Sequence, residues 1–173
     1  MHPAEIEDIM KTFTILIDTR EQVTERSKLR YKQFGCPHKR QKLDYGDYSA
    51  VLYLPDGKEL SLENVAVCER KMNTDELCNC FTHDRERFIK EFERAKEAGA
   101  KTYLLLENSS WEIAYAGKYR SQMHPNSLIA SMTAWLVRYN CQIIMCKSET
   151  SGKLIYDILH REARELLERM VDE

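Results

Sequence analysis

No run of apolar residues in this 173-residue chain approaches the roughly 18 that would span a bilayer. The N-terminus, Met1-His2-Pro3-Ala4-Glu5, has neither the basic start nor the apolar stretch of a secretory leader. Together these absences predict a cytoplasmic protein without membrane association. The chain also lacks the C-x₂₋₄-C pairs of a structural zinc site: Cys78-x-Cys80, Cys68, Cys36-x-His38 and His83 match no such spacing. Its 6 cysteines therefore read as reduced thiols that pack as small apolar groups. Repeats, low-complexity tracts and long linkers are missing too. One domain is expected, within the roughly 100–200 residues usual for one. Hydrophobic residues make up 43% and charged residues 31%, an ordinary globular composition with enough for a core. Finally, there is no excess of positive charge. The formal net charge is -2 and the pI about 6.2, which on bulk charge alone argues against a nucleic-acid partner.

That balance conceals an asymmetry. Between Thr19 and Tyr45, Arg20, Arg26, Lys28, Arg30, Lys32, Lys39, Arg40 and Lys42 meet only Glu21, Glu25 and Asp44, so 8 basic less 3 acidic residues leave +5. Between Asp157 and Glu173, 3 arginines are set against 6 acids, leaving -3. A basic segment opposed to an acidic tail can hold phosphate while the total stays negative. A solvated face is the plainer reading of the same residues.

Hydrophobic periodicity and turn residues divide the chain. Thr12 to Asp18 reads as a buried strand. Thr24 caps a basic helix that runs to about Gln33 and is stopped by Gly35 and Pro37. Asp47–Leu54 and Lys58–Lys71 are strand-like. Pro55-Asp56-Gly57 joins them as a three-residue hairpin loop, with Pro presetting φ and Gly in the left-handed position. Asn73 or Thr74 caps a short helix, and Thr82 or His83 starts a longer one that ends at Gly99. Lys101–Glu107 is a strand. Asn126 caps a helix whose stripe includes Leu128, Met132, Trp135 and Tyr139. Gln142–Cys146 is a strand, and Ser151 to about Met170 a closing helix. The order predicts one α/β domain over 1–173, with a central mixed β-sheet between two helical layers. Its core covers about 12–147 and the closing helix about 151–170.

The acids fall at strand ends. Asp18 ends the first strand, Asp47 opens the hairpin, and Glu69 and Lys71 lie near the end of its second strand. The tight loop makes Leu54 face Lys58, so Asp47 faces Val65 and shares a side of the sheet with Glu69 and Lys71. In that register Glu69 lies about 13 Å along the strand from the pairing position, at ~3.3 Å per residue, so twist or a bulge must close part of the gap. Arg70 points to the other side. Converging carboxylates repel by about 4 kcal/mol per pair at 4 Å and an effective dielectric near 20, and a divalent cation would offset this. Ligands made only of oxygen suggest Mg²⁺ or Mn²⁺, acting on a phosphoryl group and a bound water. Lys71 would then orient that water or stabilise developing negative charge. The plainer reading makes Asp18 and Asp47 turn residues and Glu69–Lys71 a surface ion pair.

Three ordered motifs sharpen this: Ile17-Asp18-Thr19-Arg20-Glu21, Leu43-Asp44-Tyr45-Gly46-Asp47-Tyr48, and Glu69-Arg70-Lys71-Met72-Asn73-Thr74-Asp75. They resemble the D-x-R-E strand end, G-D-Y turn and E-R-K-x-x-x-D run of the nuclease domain of XPF-type structure-specific endonucleases, within the PD-(D/E)XK superfamily. The resemblance spans roughly Phe13 to Glu107, with a weaker match to the end of the chain. It implies a restriction-endonuclease-like fold and metal-dependent cleavage of branched, flap or fork DNA in repair or recombination. A protein associated with the nucleoid would follow. By the same resemblance Asp47, Glu69 and the carbonyl of Arg70 bind the metal, and Lys71 acts at the nucleophile. Asp18 and Glu21 complete the acidic face as metal ligands for a second ion, and Arg20 and Asp75 support DNA or the site. An acid at position 75 also suits a first helical turn.

The family also carries a tandem helix-hairpin-helix module, for which a chain ending at Glu173 leaves no room. Substrate selection is then expected to rest on the nuclease domain or a partner. Arg20, Arg26, Arg30, Lys39, Arg40, Lys42, Arg85, Lys118 and Arg120 are the expected DNA contacts. A homodimer or heterodimer is expected through the C-terminal helices, using Trp135, Tyr139, Ile155, Ile158 and Leu159, unless these simply pack in the core. Other expectations stay open: a catalytically silent DNA-binding or scaffold subunit, although silent members lose the acids and lysine present here, and a resolvase-like nuclease with different substrate geometry.

Overall fold

The computed structural model describes residues 2–172. Its strands are β1 (Thr14–Ile17), β2 (His38–Arg40), β3 (Tyr48–Tyr53), β4 (Glu59–Ser61), β5 (Ala66–Lys71), β6 (Lys101–Glu107) and β7 (Cys141–Cys146). Its helices are α1 (Pro3–Met10), α2 (Glu25–Phe34), α3 (Thr74–Phe81), α4 (Arg85–Glu97), α5 (Trp111–Ala116), α6 (Pro125–Arg138) and α7 (Ser148–Asp172). The 7 strands form one mixed sheet in the order β2-β1-β3-β5-β6-β7, with β4 added to β3. β3 pairs antiparallel with β1, β4 and β5, whereas β1–β2, β5–β6 and β6–β7 are parallel.

Local chemistry explains most of these elements. Thr24 and Ser27 close a reciprocal cap on α2, and Gly35 ends that helix in the left-handed conformation. The central β6 is buried nearly throughout, as expected of a parallel strand covered on both faces. Alternation along the strands then sorts two cores. Ile15, Ile17, Tyr48, Cys68 and Leu105 face α1, α2 and α7. Leu104 and Leu106 face α3, α4, α5 and α6, where Phe88, Phe92 and Trp135 pack together.

Several expectations change. The hairpin register is as anticipated over β3–β4, with Tyr53 opposite Glu59 and Val51 opposite Ser61. The long second strand is not continuous, however. A turn over 62–65, in which the carbonyl of Leu62 accepts from the N–H groups of Val65 (2.8 Å) and Ala66 (2.9 Å), separates β4 from β5. Beyond it Tyr48 faces Cys68, a register shifted by four residues. Two short helices, α1 and α5, and the edge strand β2 were not anticipated, being too short to carry a strong periodic signal. His124, not Asn126, caps α6, its side chain accepting from the N–H of Asn126. The expected dimer surface is largely internal: Trp135, Ile155 and Leu159 are each 0% exposed, because the stripes that carry them seal the two cores. Among the described residues no helix is long and apolar enough to cross a membrane.

Candidate active site

The site forms where β1, β3 and β5 run out side by side. The N–H of Asp18 donates to the carbonyl of Asp47 at 2.8 Å, and the N–H of Asp47 donates to the carbonyl of Cys68 at 2.8 Å. The ladder therefore sets Asp18, Asp47 and Glu69 abreast with their side chains on one face. The four-residue shift removes the 13 Å offset of the simple hairpin, and because four is even it leaves Glu69 and Lys71 on the expected side. Gly46, at φ +75°, makes the approach possible: a Cβ there would lie 2.8 Å from Cβ of Val67.

These groups line a cleft of about 1440 Å³ between α2 and α4. Oδ2 of Asp47 accepts from the backbone N–H of Arg70 at 2.7 Å, leaving Oδ1 without a partner among the described residues. Glu69 is 5% exposed. Its Oε1 pairs with Nζ of Lys71 at 2.8 Å, and its Oε2 is buried with no hydrogen-bond partner. Burial, then the neighbouring Glu69 carboxylate, pushes Asp47 well above the usual carboxylate range. Burial also raises Glu69 to about 7 against the opposing pull of Lys71. For Lys71 burial favours the neutral amine, but the carboxylates of Glu69 and Asp47 outweigh it and keep the ammonium charged.

Two free carboxylate oxygens in a crowded acidic corner suit a hard cation better than bulk water does. Among the described residues no group of three His, Cys, Asp or Glu side chains forms a ready-made metal cluster. The fit is thus to two carboxylates, completed by backbone carbonyls, waters or substrate, in keeping with a Mg²⁺-type site.

The other expected residues divide sharply. Asp18 is 1% exposed, and its oxygens are engaged by the Leu43 N–H at 2.8 Å and by Nε of Arg20 at 2.6 Å. It secures the loop before Gly46 and steers Arg20 into the cleft. Glu21, expected as a metal ligand, pairs with Arg30 at 3.2 Å and Arg70 at 3.8 Å. Arg30, expected on DNA, is 4% exposed and donates from Nε to the Tyr48 hydroxyl at 2.9 Å. A buried guanidinium held by Tyr48 and Glu21 serves the scaffold of the cleft it lines more directly than a phosphate. Asp75 lies outside the cleft and accepts from the N–H groups of Arg120 and Ser121, each at 2.8 Å, fixing the loop before α6.

Among the basic residues, Arg20 and Arg26 are exposed and line the cleft. Lys39, Arg40, Lys42, Arg85, Lys118 and Arg120 do not. Lys39 pairs with Glu59 at 3.2 Å on the sheet edge, and Arg40 donates to the carbonyls of Thr19 and Glu21, both at 2.8 Å. Arg85 donates to the Phe81 carbonyl and lies over the Trp135 ring.

Sequence reasoning missed residues that the fold brings in. Oε1 of Glu91 in α4 accepts from the Gly46 N–H at 2.9 Å and fastens α4 to the turn. Arg87 pairs with Asp84 at 3.4 Å, and it and Arg94 line the cleft opposite Arg26. Glu107 closes a buried ring with Arg30 and Arg70. Its signal was present, since it ends an apolar strand as Asp18 does.

Comparison with known proteins agrees with this fold. Residues 17–158 match the ERCC4 domain. No curated protein matches the sequence. Among solved structures, XPF from Aeropyrum pernix superposes with a TM-score of 0.59 at 17% identity over 85% of this chain. XPF from Aeropyrum pernix in complex with DNA gives 0.60 at 19% over 88%. The chain spans 65% of each of those chains. With 142 of its 173 residues inside the matched span, the chain belongs to the ERCC4 domain family.

Proposed function

We propose that the chain is a divalent-metal-dependent endodeoxyribonuclease that hydrolyses phosphodiester bonds at branched, flap or fork DNA, in repair or recombination. The observation that carries this reading is the juxtaposition of Asp47, Glu69 and Lys71 in one cleft, with an oxygen of each carboxylate left free. Family membership and the DNA-bound relative support it.

Asp47 and Glu69, with the carbonyl of Arg70, would hold Mg²⁺ or Mn²⁺. Held there, the ion supplies polarisation of the scissile phosphoryl oxygen and acidification of a coordinated water. Lys71, kept charged and tethered to Glu69, orients the attacking water and stabilises the negative charge that builds on the phosphoryl group. Arg20 and Arg26 on one side, with Arg87 and Arg94 on the other, hold the flanking phosphates across the acidic floor.

A labelled panel of flap, fork, four-way junction and duplex DNA tests the reading, with Mg²⁺, Mn²⁺ or chelator. Cleavage that needs metal and favours discontinuous substrates is expected. DNA binding without cleavage of any member under either metal would leave the silent-subunit reading in its place.

A further inference from the structure

The alternation that points Glu69 and Lys71 to one face of the sheet points Arg70 to the other, and the same cleft is lined beside them by Glu21, Arg30, Arg70 and Glu107. There a closed ring of charges forms. Glu107 meets Nη1 of Arg70 at 3.1 Å and Nη1 of Arg30 at 3.7 Å, and Glu21 meets Nη2 of Arg30 at 3.2 Å and Nη2 of Arg70 at 3.8 Å. Arg30 reaches on to the Tyr48 hydroxyl at 2.9 Å. Side chains of Glu21, Arg30 and Glu107 are 9%, 5% and 3% exposed and that of Arg70 18%, so the ring is largely buried at the edge of the cleft. Two acids against two guanidinium groups make it neutral as a unit.

Its members adjoin the catalytic residues. Tyr48 follows Asp47, and Arg70 separates Glu69 from Lys71. The strands carrying these groups are joined weakly, since β3 and β5 share the one ladder pair Tyr48–Cys68. Beside that pair, only the Asp47 N–H to Cys68 carbonyl bond and the Arg70 N–H to Asp47 Oδ2 bond tie Asp47 to β5. The ring adds to these ties by fastening α2, β3, β5, the end of β6 and the turn after β1 to one another beside the carboxylates.

We infer that Glu107 and Arg30, with Glu21, are positioning residues that set the convergence of Asp47 and Glu69 and so the affinity for the metal. This gives Arg30 and Glu21 a different task from DNA contact and metal ligation. The inference rests on the metal-dependent reading above. Partners of this kind, one step behind the ligands, typically change metal affinity by roughly 10–100-fold when removed.

The test is Mn²⁺ titration by calorimetry of the full chain and the variants Glu107→Gln, Arg30→Gln, Arg30→Lys and the double Arg30→Gln/Glu107→Gln, with circular dichroism to confirm folding. DNA binding in chelator is measured alongside. Glu107→Gln and Arg30→Gln should each weaken Mn²⁺ binding by about tenfold or more. DNA affinity and its salt dependence should stay as in the wild type. Arg30→Lys keeps the charge and should bind Mn²⁺ between the two extremes, and it decides the matter if a neutral variant does not fold. The double variant removes one charge of each sign and should recover part of the loss. Wild-type Mn²⁺ affinity in Glu107→Gln, or in Arg30→Lys if that is the folded variant, would overturn the inference. So would a shallower salt dependence of DNA binding in Arg30→Gln. A wild-type chain that binds no Mn²⁺ defeats the proposed function instead, and the two failures are thereby distinct.

Discussion

The backbone N–H of Arg70 donates to Oδ2 of Asp47 at 2.7 Å, so the strand that carries Glu69 and Lys71 is clamped to the first acid of the site by its own main chain. The clamp spends one lone pair of Asp47 on holding β5 and leaves the other oxygen facing the cleft. It also explains why an acid at position 47 matters twice, as part of the scaffold and as a ligand. Asparagine there would keep the hydrogen bond and lose the charge.

This separates two substitutions at one position. Asp47→Asn should keep the fold and the melting temperature to within a few degrees and lose Mn²⁺ binding in calorimetry. Asp47→Ala loses the clamp as well and should melt lower, since an unsatisfied buried N–H costs roughly 1–3 kcal/mol. Both should abolish cleavage. Lys71→Ala should lower turnover by about 10²–10⁴-fold, the range for a positioned proton-handling or charge-stabilising group, while Mn²⁺ still binds. Undiminished cleavage by Asp47→Asn or Lys71→Ala would remove both from the mechanism.

Glu69 makes the site sensitive to pH. Raised by burial to about 7, it is protonated below neutrality in the metal-free chain, and a cation must displace that proton. Apparent Mn²⁺ affinity should therefore climb by at least about tenfold per unit below pH 7, with the raised Asp47 carboxyl adding to the climb. The stability of the metal-free protein should run the other way. A carboxyl raised above its unfolded value stabilises the fold fully below the unfolded value near 4.5, and the contribution disappears as pH rises through 7. Thermal melts in chelator should thus fall between pH 5 and 8. Glu69→Gln should flatten its share of that fall, and a melting profile unchanged by the substitution would contradict the assigned pKa.

Salt titrations of DNA binding distinguish arginines that meet phosphate from those that do not. Arg26→Gln and Arg87→Gln should each reduce the slope of log affinity against log salt by roughly 0.7–0.9, the release of about one counterion. Lys39→Gln, on the far edge of the sheet and paired with Glu59, should leave the slope unchanged. Equal slopes in all variants would move the DNA path off this cleft.

Trp135 gives a check on the interface expected from the sequence. It is fully buried among Phe81, Phe88 and Phe92, so Trp135→Ala should cost about 3–5 kcal/mol of stability. Analytical ultracentrifugation of the folded fraction should show the same association state as the wild type. Loss of a dimer with unchanged stability would restore the surface role expected from the sequence.

The helix boundaries show what reads locally and what does not. Thr24 and Gly35 marked α2 correctly because capping and left-handed termination are properties of a few neighbouring residues. The same residues said nothing about how α2 rotates about its axis. That rotation buries Arg30 against Tyr48 at the floor of the cleft and leaves Arg26 exposed at its edge, and it is set by packing of α2 against α7 and the sheet. A helix of alternating basic and apolar residues is compatible with several such rotations, so its arginines could not be sorted in advance.

For the site, the sequence by itself determined the sides of the sheet. Alternation along β5 is fixed by backbone geometry, so Glu69 and Lys71 had to share a face and Arg70 had to take the other, whatever the strand paired with. Tertiary structure decided the distance. The turn over 62–65 that moves Asp47 from Val65 to Glu69 closes on local bonds to the Leu62 carbonyl, but it is placed by the Leu62 N–H donating to the Ala50 carbonyl and by β5 pairing with β6, contacts between residues far apart in the chain. Only folding could also bring Glu107, Glu91 and Arg87 to the cleft, because side-chain alternation is a local property and strand register is a global one.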